Sequence, residues 1–289
     1  MRAELLIDCK CQLGEGPLWH TGRQELFWFD ILGKRLYSAT ADGHMQGEWA
    51  FDRHASAAAI VSDTELAIAQ AGKVIRLDLA SDARTDLAPL EADMPGNRSN
   101  DGRVHPSGAF WIGTMSLTDT PGMGSVYAMR AGRMERVVRD ISISNSICFS
   151  PDGRTAYFAD TPTGLIVKCA IDPDTGLPVS SWELFADTRN EPGKPDGSVV
   201  DSEGCLWSAR WGGFSVIRYT PQGSIDRVIE VPSRNVTCPS FGGADLRTLF
   251  LTTARSGLNT EQLNSDPHAG GIYVMEPGVA GQAEPNFIP

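Results

Sequence analysis

Apolar and aromatic residues come in short bursts along this chain, and each burst is entered through a tight turn carrying Gly beside Asp, Ser or Pro. Three copies are plain. His105-Pro106-Ser107-Gly108 precedes Phe110-Trp111-Ile112-Gly113, Ser150-Pro151-Asp152-Gly153 precedes Thr155-Ala156-Tyr157-Phe158-Ala159-Asp160, and Asp201-Ser202-Glu203-Gly204 precedes Leu206-Trp207-Ser208-Ala209. Gly108, Gly153 and Gly204 are 45 and 51 residues apart. Weaker copies lead into Leu26-Phe27-Trp28-Phe29-Asp30, Leu66-Ala67-Ile68-Ala69 and Leu249-Phe250-Leu251-Thr252, which makes six. A sustained period of about 48 residues marks an array of small sheets, not a chain of independent elements.

Each copy supplies more than one strand. Alternating segments follow at 35–39, 74–79, 125–129, 165–171, 214–219 and 271–275, and fourth strands fit at 47–51, 84–88, 134–138, 183–186 and 225–230. The sixth copy has no fourth strand, because Pro277, Gly278, Gly281 and Pro285 turn its continuation into a tail. The N-terminal stretch from Ala3 to Cys9 is a strand without a copy of its own. The pattern therefore predicts an all-β, six-bladed β-propeller of four-stranded antiparallel blades, with the N-terminal strand completing the last blade and removing the free sheet edges. Seven blades would leave about 41 residues each and five about 58, and neither spacing matches the turns. No window of helical length keeps apolar residues at i, i+3, i+4 and i+7 without a Gly or Pro; only 261–263 suits a turn of helix, within a loop.

Composition agrees with this picture. Glycine (30) and proline (18) make up about a sixth of the 289 residues, the share a turn-rich ring needs, while 41% hydrophobic residues supply a core for one domain spanning 1–289. Lys and Arg less Asp and Glu give 25 − 36 = −11 with no basic patch, which argues against nucleic acid and anionic membranes as partners. Glu4 and Asp8 interrupt any leader-like apolar run, and no stretch approaches the length of a membrane span, so a soluble cytoplasmic protein is expected. Cys9, Cys11, Cys148, Cys169, Cys205 and Cys238 are scattered without a C-x-x-C pair and read as reduced thiols. The sequence leaves the oligomeric state open, with a monomer as the expectation.

The five histidines offer no Ser/His/Asp elbow or paired metal-ligand spacing, and His105, in a repeat turn, reads as a solvated turn residue. More telling are polar residues that the repeat does not require. Glu15 stands between Gly14 and Gly16 before blade one; Asn97-Arg98-Ser99-Asn100-Asp101-Gly102 opens blade three; Ser144-Asn145-Ser146 opens blade four; Pro195-Asp196-Gly197 opens blade five. The first strand of a propeller blade lines the central channel, so these groups should converge at one mouth, where Glu, Asn and Asp oxygens suit a divalent cation. Trp19, Trp111 and Trp207 read as core between blades, whereas Trp211 in Trp211-Gly212-Gly213 follows a strand and could form a stacking wall at the mouth. Asp160, ending its strand, either reaches the mouth or caps a turn, and Arg210 and Arg255 are weaker candidates.

From Leu13-Gly14-Glu15-Gly16-Pro17 through Arg98-Ser99-Asn100-Asp101-Gly102, Ile143-Ser144-Asn145, Pro195-Asp196-Gly197, Trp211-Gly212-Gly213 and Phe241-Gly242-Gly243 to Leu249-Phe250-Leu251-Thr252-Thr253-Ala254, the chain resembles the senescence marker protein/gluconolactonase-like family, which includes regucalcin and bacterial sugar lactonases. The resemblance implies a six-bladed propeller that hydrolyses sugar lactones with one divalent metal ion: calcium, zinc, manganese, magnesium or iron(II). It implies Glu15, Asn145 and Asp196 as metal ligands and Arg98 and Asn100 as substrate contacts. Some members carry a substrate-binding Glu in the loop at 117–123; here Asp119 is the acid in that loop, whose Pro121 and Gly122 suit a lid. Asp196 is the residue expected to orient or deprotonate water. Opening an aldonolactone to its aldonic acid, in sugar catabolism, is thus the expected reaction. A metal-dependent esterase of aryl or phosphate esters, and a non-catalytic binding scaffold, are the alternatives.

Overall fold

A computed structural model describes all 289 residues. Six four-stranded antiparallel sheets are arranged as blades of a ring. The innermost strands of blades 1 to 6 are Gly14–His20, Ala55–Ile60, Asn97–Val104, Ser144–Phe149, Lys194–Val200 and Val236–Gly242. In blade 6 the strands run Val236–Gly242, Thr248–Thr253, Ile272–Met275 and then Glu4–Ile7, so the N-terminal strand is the outer edge of the last blade. Glu4 pairs with Val274 and Leu5 with Tyr273. Closure reaches one blade further, since the Ala3 amide donates to the Glu230 carbonyl of blade 5 at 2.9 Å.

Alternation along the strands sends apolar side chains into the gaps between blades. The core is correspondingly divided into six clusters, one per gap: Phe27 and Phe29 face Ile60 and Ile68 between blades 1 and 2, and Trp111 and Phe149 meet edge-on at 5.3 Å between blades 3 and 4. Trp19, Trp111 and Trp207 are all core, as their strand positions predicted. Small hydroxyls link neighbouring inner strands near the axis, Ser56 Oγ donating to Ser99 Oγ at 2.7 Å and Ser146 Oγ to the Asp196 carbonyl at 2.6 Å.

One expectation needs correction. His105 is fully buried, not solvated: its Nε2 pairs with the Gly153 carbonyl at 2.9 Å, Nδ1 pairs with Ser107 Oγ, and its ring packs edge-on against Phe149. The turn of one blade is covered there by the turn of the next, which a single repeat does not reveal. The C-terminal tail forms no strand, as its prolines and glycines predicted, but is tied down. It crosses the end of the channel opposite the predicted site, Gly281 donating to Leu246, Phe287 to Ile60 and Ile288 to Gly108, and buries Phe287 against Phe110. Glu284 from this strap meets Arg103 of the blade 3 inner strand in a buried ion pair. The residues at 261–263 lie within a short helix, Thr260–Ser265, closed by a capping box from Asn259 and Gln262. No helix is long and apolar enough to cross a membrane.

Candidate functional site

All six inner strands break register at the same level: after Glu15, Ala55, Ser99, Asn145, Pro195 and Val236. Such bulges bend a strand and re-aim its side chains, and they favour sites over plain scaffolding. They also explain the glycines beside the acids. Gly16 is held at φ +54°, and a Cβ there would stand 2.3 Å from the Ser56 carbonyl oxygen; a Cβ on Gly197 would stand 2.3 Å from Cys238 Sγ. The inner strands crowd the axis so closely that the acid is kept and its neighbour is stripped to hydrogen.

At this level a cavity of about 260 Å³ opens at one mouth of the ring, and Glu15, Arg98, Asn100, Asp119, Asn145 and Asp196 all line it. Every residue singled out as a metal ligand or substrate contact is therefore in one place. Trp211 forms part of the wall, beside Leu13, Met115 and Ile143. Asp119 sits on the exposed loop between Phe110–Ser116 and Gly124–Arg130, its own backbone left-handed at φ +53°. Asp160 does not reach the cavity: its carboxylate accepts from the amides of Ser142 and Ile143 and caps that turn. Arg210 is fully buried, donating to the carbonyls of Pro192 and Gly193 in the loop leading to Asp196, and Arg255 is not part of the cavity wall.

The electrostatics of the mouth are unbalanced. Burial, with repulsion from Asp101, pushes the Glu15 carboxyl up to about 8. Burial and the neighbouring Glu15 and Asp101 charges likewise hold Asp196 well above the ordinary carboxylate range. Asp101 is pushed up to about 6 by burial, but its oxygens are occupied by the amides of Gly102 and Ile147. Asp101 has the Arg103 charge beside it, so against Glu15 and Asp196 stands Arg98, itself lowered to about 10 by burial although Glu15, Asp119 and Asp196 favour its charge. Glu15 spends one oxygen on the Gly16 amide, at 3.0 Å. Buried carboxyls that would ionise readily only beside a further positive charge, with oxygens to spare and an amide oxygen on Asn145, fit a hard divalent cation.

Arg98 Nη1 donates to Asn100 Oδ1 at 2.7 Å, and Asn100 Nδ2 donates to the Ser144 carbonyl at 2.8 Å and to Asn145 Oδ1 at 3.2 Å. Asn100 therefore ties Arg98 to Asn145, leaving one lone pair of its Oδ1 for a ligand. Two contributors escaped the sequence reading. Thr161, adjoining the Asp160 that was weighed, lines the cavity. Glu91 accepts from Asn97, Thr114 and Tyr127, and Asn97 in turn donates to the Met123 carbonyl, anchoring the far end of the Asp119 loop. Neither lies in a repeat-breaking motif, so no sequence signal marked them.

A second acidic group, Asp201, Glu203 and Cys205, has ligand atoms within 4.8 Å of one another. Its charge is already met: Arg218 Nη2 lies 2.7 Å from Asp201 and 2.6 Å from Glu203, and Trp207 Nε1 donates to Asp201 at 2.9 Å. It is an ion-pair network on the flank of blade 5.

The family model for the SMP-30/gluconolactonase/LRE-like region matches residues 13–255, from the strand carrying Glu15 to the end of the last inner hairpin. The chain belongs to this family. It is 36% identical over 291 residues to the L-arabinolactonase of Azospirillum brasilense, covering 99% of this chain and 95% of that protein. It is 33% identical to the 6-deoxy-6-sulfogluconolactonase of Pseudomonas putida, over 95% and 94% of the two chains. The crystal structure of regucalcin from Agrobacterium tumefaciens str. C58, described as a calcium-binding protein, superposes with a TM-score of 0.96 at 40% identity, covering 99% of this chain and 97% of that one. The likeness spans the whole ring, the strap included.

Proposed function

We propose that this family member is a divalent-cation-dependent lactonase that opens a five- or six-carbon aldonolactone to the aldonic acid. The observation that carries the reading is the cavity itself: Glu15, Asn145 and Asp196 from three blades meet there, with two buried carboxyls that Arg98 alone does not keep ionised. The names of the lactonase relatives support the substrate class.

Glu15, Asn145 and Asp196 would hold the cation. When bound, it supplies Lewis acidity toward the ester carbonyl and the developing oxyanion. The protein groups do the rest. Asp196 takes the proton from the attacking water and passes it to the ring oxygen as the acyl C–O bond breaks. Arg98, held by Asn100 and by the Ser99 carbonyl at 2.9 Å, turns its remaining N–H groups to the ring hydroxyls or the carboxylate being formed. Asp119 accepts from a hydroxyl at the rim, in the position where its loop can fold over the mouth as a lid. Trp211 offers an apolar face to the sugar ring.

The test is hydrolysis of a panel of pentono- and hexonolactones by protein stripped with chelator and reloaded with calcium, manganese, magnesium, zinc or iron(II), beside nitrophenyl and phosphate esters. Aldonolactone opening that needs the cation and is lost in Asp196→Ala is the expected result. Equal rates on the esters would assign an esterase, and absence of both activities a binding scaffold.

A further inference from the structure

An asparagine can serve a cation through its oxygen only, so a site that uses one must also control which way its amide faces. Asn145 Nδ2 lies 2.8 Å from Thr161 Oγ1, and Thr161 Oγ1 lies 2.8 Å from the Pro195 carbonyl oxygen. A carbonyl only accepts, so the single hydroxyl proton is committed to Pro195. Thr161 Oγ1 then has only lone pairs for its other neighbour, and the atom of Asn145 facing it must be the NH2 group. The opposite end of the chain of hydrogen bonds demands the same answer. A guanidinium only donates, so Asn100 presents Oδ1 to Arg98 and Nδ2 to Ser144 and Asn145, and what faces that Nδ2 must be the Asn145 oxygen. Thr161 is itself fixed, its amide donating to the Ile143 carbonyl at 3.1 Å and Pro162 following at once in a short 3-10 turn.

We propose that Thr161 is a positioning residue for the cation site. Its hydroxyl locks the Asn145 amide with the oxygen turned to the mouth, where one lone pair accepts from Asn100 and the other is left for the ion, and by gripping the Pro195 carbonyl it fixes the backbone beside Asp196. One side chain thereby couples ligands from blades 4 and 5. The proposal rests on the reading that Asn145 and Asp196 hold a divalent cation.

The experiment is calorimetric titration of chelator-stripped protein with calcium and with manganese alone, in Thr161→Val and Thr161→Ser, each made in the natural sequence and in an Asn145→Asp background. Aspartate has an oxygen on both sides and needs no orienting. Outer partners of metal ligands are worth about 10–100-fold in affinity. Thr161→Val should lose on that order in the natural background, Thr161→Ser should stay near the wild type, and Thr161→Val should lose little once residue 145 is aspartate. Equal losses in both backgrounds would make Thr161 a general packing residue and overturn the proposal, as would no loss in either. If valine prevents folding, the serine and Asn145→Asp variants still decide, because weakened binding in Thr161→Ser that Asn145→Asp does not relieve contradicts the orienting role. Wild-type protein that binds neither ion removes the site itself, a result distinct from all of these.

Discussion

Replacing Glu15 with glutamine should make the cation-free protein more stable and a poorer holder of cations. The side chain is 7% exposed, and its carboxyl is pushed from 4.5 up to about 8. Between those values the folded protein keeps the proton while the unfolded chain gives it up. The raised folded value fixes the sign: the contribution of this group to stability is fully present below 4.5 and is lost as pH rises through about 8. The slope is about 1.4 kcal/mol per pH unit, so near neutrality the wild type carries a handicap on the order of 3 kcal/mol against a neutral isostere. At roughly 2–4 °C per kcal/mol for a chain of this size, glutamine should raise the melting temperature by roughly 6–12 °C in chelator near pH 7, and by almost nothing near pH 4.5. Melting curves across that range, with and without saturating calcium or manganese, are the assay. Cation should stabilise the wild type more than the variant, by mass action on the folded state. A variant that melts with the wild type at every pH, or binds cation more tightly, would refute the argument that the Glu15 carboxyl is buried at a cost for a ligand's sake.

Removing residues 1–10 should lower the melting temperature sharply, because it exposes the edge of Ile272–Met275 and breaks the Ala3 link to blade 5; unchanged melting would contradict closure by the N-terminal strand. Glu284→Gln should cost about 3–5 kcal/mol in denaturant unfolding, since it strands the buried Arg103 charge, and an Arg103→Met partner should recover much of that loss. Arg98→Ala should raise KM or lower kcat for aldonolactones while calorimetry shows cation affinity retained; loss of cation binding would place Arg98 among the groups that build the ion site instead.

The ring was legible because its turns are chemically distinctive: Gly108, Gly153 and Gly204 all carry positive φ, and the aromatic runs after them fall on second strands. The polar intruders Glu15, Asn100, Asn145 and Asp196 were legible because an inner strand has no packing use for them. What stayed hidden depends on partners remote in sequence. Glu284 finds Arg103 across 181 residues, and nothing about Pro285 or Gly281 announces a strap. His105 is buried only because the Gly153 turn of the next blade lies over it. Asp101 looked equivalent to its neighbours, and only the amides of Gly102 and Ile147 reveal a carboxylate already spoken for. Thr161 carries no local signature, since its role is set by the direction of one proton.

The order of the blades gives the proposed ligands a mechanical meaning. Glu15 comes from blade 1, which lies across the ring from blade 4 and its Asn145, and Asp196 comes from blade 5. An ion gripped by all three is a spoke across the wheel, joining sectors that otherwise touch only through their neighbours. Blade 1 also adjoins the seam where the first strand of the chain locks into blade 6. Breathing that swings blade 1 away from blade 6 would carry Glu15 from Asn145 and Asp196, so ion occupancy should slow that opening of the ring as well as serve the chemistry at its mouth. Hydrogen exchange of the amides in Glu4–Ile7 and Ile272–Met275, far from the ion itself, is where that tension would be read.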